Sequence, residues 1–258
     1  MAHDSNEIYL SRLILNPRSR EVRRDLGNCH ALHCTILKAF PTLNGDDEAK
    51  ARERFGVLYR LDVDQRKGRA TLLAQSLVEP DWSKLPLDYC LESTDEVNPA
   101  CKSVSESYGH LREGMRLMFR LRANPTRRVS KNNANEKNPR FYGKRVDVRG
   151  EEQQLEWLRR KIAVAGCRLM AVRTKPDVSN VLSAPEGYKT GWRRQADNEL
   201  PCVAASAAEK RRLTFASVLF EGELEVTDAE ALRKALVSGI GTGKAYGFGL
   251  LSISPIQH

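Results

Sequence analysis

Two histidines stand three residues apart in the stretch Cys29-His30-Ala31-Leu32-His33-Cys34, and a lysine follows at Lys38. On a helix, positions i and i+3 share a face, so both imidazoles present to one side. An imidazole with a pKa of about 6.5 can take a proton from one oxygen and give one to another near neutral pH. A lysine ammonium can stabilise the charge that builds on a phosphorus centre in the transition state. RNA suits such a set because it brings its own nucleophile, the 2′-OH beside each phosphodiester. Cleavage by this route needs no metal and leaves a 2′,3′-cyclic phosphate and a 5′-OH. A helix histidine without context is more often a surface or hydrogen-bonded group. Of the others, His3 and His258 are terminal and His110 lies in a stretch with little pattern. The segment also admits a zinc reading, since Cys29/His33 and His30/Cys34 are each at i, i+4, a spacing that suits two ligands. Each pair would need further Cys or His, and the sequence clusters none, so no metal and no cofactor is expected.

A second feature lies at the other end of the chain. Five of the 17 glycines fall between Gly239 and Gly249, with Lys244 and Tyr246 among them, and the apolar run Phe248 to Ile253 follows. Glycine lets a backbone turn sharply and bring its N–H groups close to a phosphate. A P-loop is excluded, because it needs Gly five residues before its Gly-Lys pair and Ser or Thr after it, and the chain has Ser238 and Ala245 there. The run is either a phosphate-facing loop or a turn whose glycines serve packing.

Charge points the same way. The chain of 258 residues carries a formal net charge of +9. Residues 112–149 hold 12 Lys and Arg against 3 Asp and Glu, which leaves the rest balanced. A patch of this kind is the footprint of a polyanion partner, with an acidic protein as the rival. No apolar stretch approaches the roughly 20 residues of a membrane span, and the start of the chain lacks a signal-peptide pattern. The six cysteines (Cys29, Cys34, Cys90, Cys101, Cys167 and Cys202) form no C-x-x-C pair and suit free thiols in a reducing cytoplasm.

The elements that must hold these residues can be read in part. The periodicity predicts a strand at Ile8–Leu15, a helical region from Ser19 to Phe40 broken near Gly27-Asn28 and stopped by Pro41, and a hairpin of Val57–Val63 with Arg69–Ser76. Residues 79–111, with Pro80, Pro86 and Pro99, read as irregular. Arg116–Arg122 alternates, with Leu117, Phe119 and Leu121 inward and Arg116, Arg120 and Arg122 on a basic outer face. Residues 125–144 read as a polar loop. Glu151–Ala165 reads as a helix, with Leu155, Leu158 and Ile162 on its inner face, Trp157 beside Arg159, Arg160 and Lys161, and Gly166 as its stop. Segment 168–211 reads as an insertion. Leu213–Phe220 and Glu223–Val226 read as a hairpin turning at Glu221-Gly222, and Asp228 caps a helix reaching about Val237. The second half gives the order β-α-β-β-α-β. The fold class expected is α+β, two tandem ferredoxin-like (RRM-like, βαββαβ) domains over 1–100 and 112–258.

Several stretches resemble one family. The pattern G-x-G-x-x-K-A-x-G-x-G-L-L-S from Gly239 to Ser252 resembles the C-terminal signature of CRISPR-associated RAMP proteins. Tyr9 to Leu15, Arg24-Asp25-Leu26 through His33 to Lys38, Gln75-Ser76 with Pro80-Asp81-Trp82-Ser83, and Phe119 to Pro125 resemble the CasE (Cse3) endoribonucleases of the type I-E Cascade complex. The matches spread from residue 8 to 254. The resemblance implies a CRISPR repeat-specific endoribonuclease that binds the stem-loop of precursor crRNA, cuts it without metal and stays bound beside the other Cascade subunits. It places His33 at the family's catalytic histidine, Lys38 at a common lysine and His30 where a tyrosine is frequent, as acid partner or phosphate-positioning group. Candidate RNA contacts are Arg23, Arg24, Arg120, Arg122, Arg127, Arg128, Lys131, Lys144, Arg145, Arg159, Arg160, Gly241, Gly243 and Lys244. The alternative is a non-catalytic RAMP-type subunit that holds guide RNA.

Overall fold

The computed structural model describes residues 7–43, 50–64, 66–92, 96–130, 142–172, 175–194 and 210–256, so the contact expected at Lys131 lies outside the described residues. It is a mixed α/β fold built on antiparallel sheets.

The first sheet follows from alternating apolar strands. Strand β1 (Tyr9–Leu15) leads to helices α1 (Arg20–Leu26) and α2 (Cys29–Leu37), a short α3 (Ala51–Arg54), and strands β2 (Leu58–Asp64) and β3 (Arg69–Ser76). The expected break at Gly27-Asn28 is present. The Asn28 side-chain oxygen accepts from the backbone N–H groups of His30 and Ala31, which starts α2 as a separate helix. Strand β4 (Ala100–Ser103) completes the order β2-β3-β1-β4, and α4 (Ser105–Gly109) follows. Both lie in the stretch expected to be irregular. An edge strand of four residues has little pattern to read. It is placed from a distance by Asn98, whose side chain accepts from the Ile14 N–H and donates to the Ile14 carbonyl. Leu13, Leu15, Leu32, Ile36, Tyr59, Leu72 and Trp82 pack between helices and sheet.

In the second sheet β5 (Arg116–Ala123) is followed by a small hairpin of β6 (Thr126–Arg128) and β7 (Arg145–Asp147), then α5 (Glu151–Val164) and β8 (Cys167–Leu169). Strands β9 (Ala171–Val172) and β10 (Lys175–Ser179) pair with each other; β11 (Val181–Arg194), β12 (Lys210–Val226), α6 (Ala229–Ser238) and β13 (Leu251–Pro255) follow. The order is β11-β12-β5-β13, with β8 also on β12.

Three expectations are corrected here. The supposed loop 125–144 contains β6 near its start and stops just short of its partner strand β7. The supposed insertion contains β11, a 14-residue strand of the main sheet. Pro185, Gly187 and Gly191 disguised it as loop, but the pairing with β12 shifts between Pro185 and Tyr188, a bulge that absorbs the first two, while Gly191 pairs in register with Leu213. The expected turn at Glu221-Gly222 is absent, because β12 runs straight through it. Gly222 is small there for another reason: a Cβ would lie 2.4 Å from the Asn180 carbonyl oxygen of the neighbouring chain segment.

The two sheets meet along a polar seam. Arg122, expected on an outer face, is 5 % exposed because β2 and β11 cover that end of β5. Its guanidinium donates twice to the Glu186 carboxylate, at 2.6 Å each, and also to the Leu61 carbonyl and to Asp62. Arg60 from β2 reaches Ser252 of β13 at 2.8 Å, and Gln75 donates to the Leu236 carbonyl at the end of α6. Burial alone would raise the Glu186 carboxyl, but Arg122 and the Ser217 hydroxyl reverse this and hold it below its ordinary range. A depressed carboxylate stabilises the fold fully above the unfolded pKa and loses that contribution as pH falls through the folded one. Arg122→Met should cost about 3 kcal/mol, the low end for breaking a buried pair, read from urea unfolding at pH 7, and the cost should shrink as acid protonates Glu186.

Candidate active site

Helix α2 carries His30 and His33 on one face, and its first turn is held by β11. The Asn28 oxygen that caps α2 also accepts the backbone N–H of Trp192 at 3.2 Å. Gly191 allows that approach, since a Cβ there would lie 2.8 Å from the Cys29 sulfur and 2.9 Å from the Asn28 oxygen. His30 is buried and His33 half-buried, with ring centroids 6.4 Å apart. Nε2 of His30 lies 3.9 Å from the Cys34 sulfur.

The glycine run arrives at the same place from the far end of the chain. Residues Lys244–Tyr246 form one 3-10 turn between Gly243 and Gly247, both left-handed at φ +76° and +84°. The Tyr59 hydroxyl donates to the Ala245 carbonyl at 2.8 Å and ties the turn to β2. Phe215 of β12 stacks on the Tyr246 ring at 4.8 Å. So fixed, the Tyr246 ring lies 6.0 Å from His33 and 6.4 Å from His30. Two imidazoles and a phenol, from segments more than 200 residues apart, therefore form a triangle of rings. Such a set can accept, donate and relay protons. Tyr246 was not singled out from the sequence, although it is the one aromatic between the two left-handed glycines.

A cavity of about 670 Å³ adjoins the triangle and shares Tyr246 as a wall. Leu26, Leu32 and Leu61 give it apolar lining, and Lys189 of β11 also lines it. Nothing in the sequence marked Lys189, which sat in the supposed insertion. Burial pushes the Cys29 thiol up to about 11, so it stays protonated near neutral pH. Among the described residues no group of three or more His, Cys, Asp or Glu is placed to hold a metal ion.

The remaining residues singled out from sequence are spread more widely. Lys38 is exposed at the end of α2, about 140° round the helix from His33 at 100° per residue. Arg23 is exposed on α1, while Arg24 is tied to Asp25 and donates to Thr35 of α2. Arg120 pairs with Glu221, and Arg122 is engaged in the seam. Arg128, Lys144 and Arg145 are exposed on the β6/β7 hairpin, which also carries Arg127. Arg159 and Arg160 stand exposed on α5 near Glu156. Trp157 does not join them; it is buried and stacked on Phe220.

The loop glycines are demanded by packing as well as by conformation. A Cβ at Gly241 would come within 3.2 Å of the Trp157 ring, and one at Gly243 within 2.9 Å of the Phe248 ring. Lys244 donates to the Ser238 carbonyl at 2.6 Å and closes the C-terminal end of α6. Gly243→Ala should therefore lower stability by about 1–2 kcal/mol, from its left-handed φ and the clash. Lys244→Ala removes one partly exposed hydrogen bond and should cost under about 1 kcal/mol. Urea unfolding of the two variants, side by side, checks this; an equal or reversed order would contradict it.

The family model described as CRISPR associated protein matches residues 8–255. The CRISPR-associated endoribonuclease Cse3 of Thermus thermophilus is 34% identical over 248 residues, covering 96% of this chain and all of the relative. The CRISPR system Cascade subunit CasE of Escherichia coli is 31% identical over 147 residues, 57% of this chain and 61% of that protein. A solved structure of CRISPR endoribonuclease Cse3 bound to a 19-nt RNA superposes with a TM-score of 0.72 at 33% identity, over 96% of this chain and 100% of that one. A match that runs nearly end to end, in both sequence and backbone, means that this chain belongs to the CRISPR-associated protein family.

Proposed function

We propose that this protein is the CRISPR repeat-specific endoribonuclease of a Cascade-type system. The observation that carries the reading is the convergence of His30, His33 and Tyr246 in a chain whose full-length relative is an endoribonuclease. In this reading one imidazole, that of His33, takes the proton from the 2′-OH at the cut. The oxygen attacks the adjacent phosphorus, the bond to the 5′-oxygen breaks, and that oxygen takes a proton from a second group at the site. The products are a 2′,3′-cyclic phosphate and a 5′-OH, with no water or metal consumed. We assign the second role to His30, whose ring stands 6.4 Å from that of His33; Tyr246, at 6.0 Å from His33, borders both. Lys38 is proposed to meet the phosphate only where the RNA passes the end of α2.

The finer architecture belongs to the same proposal. The orders β2-β3-β1-β4 and β11-β12-β5-β13 are both those of a ferredoxin-like sheet, if β11 and β8 together count as its second strand. This supports two tandem ferredoxin-like units, over 1–100 and 112–258, with β4 in the linking stretch closing the first sheet. RNA would lie across their shared face, its stem against the β6/β7 hairpin and the outer side of α5, where Arg127, Arg128, Lys144, Arg145, Arg159 and Arg160 supply positive charge for a duplex read by shape and phosphates. The RNA-bound relative and the Cascade-subunit relative support repeat hairpin RNA and other Cascade subunits as partners. We place the protein in the cytoplasm with them; among the described residues no helix is long and apolar enough to cross a membrane.

The purified protein should cut repeat hairpin RNA in excess EDTA, and a 2′-deoxy nucleotide before the junction should stop cleavage while leaving binding nearly intact. Gel analysis of the product ends checks the cyclic phosphate. Loss of cutting with EDTA and its return with Mg²⁺ would overturn the metal-free route, and tight binding without cutting would favour the guide-holding subunit instead.

Replacing His33 with Ala should slow the single-turnover step about 10²-fold or more at unchanged fold. His30→Tyr should keep activity, because a phenol can stand in that position of the triangle. If His30→Tyr binds RNA and is inert, proton transfer at residue 30 requires the imidazole.

A further inference from the structure

The cavity beside the ring triangle contains a charge that the reaction above does not use. Lys189 lines it, with its ammonium 5.7 Å from the centre of the Phe248 ring. The other cations and anions at this wall are engaged. Arg122 holds Glu186 and Asp62, and Asp25 holds Arg24 and accepts from the Tyr89 hydroxyl. Among the described residues Lys189 makes no ion pair and no side-chain hydrogen bond, although it is half-buried. An ammonium kept from water with no anion in contact is costly, and a bound anion reduces the cost.

The cavity's size lies in the range of small-ligand sites, about 300–1,000 Å³, at about 670 Å³. It shares Tyr246 with the triangle, and Leu26, Leu32 and Leu61 line it together with the amine. Apolar side chains and an ammonium without an ion-pair partner, lining one cavity, match a nucleotide, whose base or sugar suits the first and whose phosphate suits the second. We propose that this cavity takes one nucleotide of the RNA strand flanking the cleaved bond, with its phosphodiester on the Lys189 ammonium. This rests on the nuclease reading of the neighbouring rings.

The electrostatics agree. Burial, then the charge of Arg122, pushes Lys189 down to about 8, while Glu186, Asp62 and Cys29 pull the other way. The groups around it are Asp25 and Cys29 from the helices, Tyr59 and Asp62 from β2, Arg122 from β5, Glu186 from its own strand, and Tyr246 from the loop. Burial holds Cys29 at about 11 and Tyr59 well above its ordinary value, so neither titrates near 8. A phosphate on the amine favours its charged form, so the contact is present at pH 7 and fades as the amine loses its proton.

The test uses a repeat hairpin RNA with a 2′-deoxy nucleotide at the junction, so that binding is read without cutting. Lys189→Met should weaken binding at pH 7 by about 5- to 10-fold and lower the slope of log affinity against log salt by about 0.7–0.9, one phosphate contact. Lys189→Arg should restore most of both. The melting temperature of Lys189→Met should be no lower than the wild type's, since Met removes a half-buried charge that has no ion-pair partner. The Lys189→Met penalty should vanish at pH 9.5, and it should vanish with one of two RNAs ended at the junction, from one side or the other. Unchanged affinity and slope in Lys189→Met would overturn the proposal, as would a penalty that persists with both shortened RNAs. If the wild type binds but does not cut, a surviving penalty upholds the cavity while the nuclease reading falls. If the wild type binds no hairpin, both fall.

Discussion

A guanidinium buried between two sheets must find its partners inside the protein, and Arg122 finds them on separate strands. From β5 it reaches the Leu61 carbonyl and Asp62 of β2 and the Glu186 carboxylate of β11. No single sheet could satisfy it. The planar fork of arginine suits this, because it can grip a carboxylate with two bonds and still donate elsewhere. Fixing Arg122 sets β2 beside β5, and β11 stands across both. The mouth of the cavity and the footing of α2 follow from that placement, since β11 carries Lys189, Gly191 and Trp192.

The ring triangle depends on contacts where one backbone nearly touches another. Gly191 lets β11 lie against the first turn of α2, and Gly243 and Gly247 turn the C-terminal loop so that Tyr246 points at the histidines. The loop is then tied at Ala245 by Tyr59 and braced by Phe215. Each anchor is a hydrogen bond or stack from a strand, so the rings sit on rigid elements rather than on a mobile loop. The glycines therefore serve the chemistry through packing, by letting the loop reach its place.

Arg122 and Lys189 line the same cavity and differ in what surrounds them. Both are removed from water. Arg122 is compensated by two carboxylates and its charge is held; Lys189 has none within bonding distance and its charge is weakened. Structural charges are ordinarily satisfied within the protein, and one that is not is a place where something else is expected to bind. The seam and the cavity thus divide the labour between holding two units together and facing a ligand.

Much of this was legible from the chain alone. The i, i+3 spacing of His30 and His33 and the Asn28 break place both rings on one face of a short helix, because those are local properties of three to ten residues. The alternation of β5 and the concentration of charge in 112–149 were also plain. What could not be read was set by partners far away in sequence. Edge strand β4 is positioned by Asn98 reaching Ile14, β11 hides its strand behind Pro185 and two glycines until β12 shows where the bulge falls, and Arg122 looks exposed until β2 covers it. Tyr246 and Lys189 carry no signal in their own neighbourhoods, because their meaning comes from rings and charges brought beside them by the packing of two sheets. Local spacing determined which residues could do proton chemistry, and only the tertiary contacts, made across more than 200 residues, decided which groups stand around them.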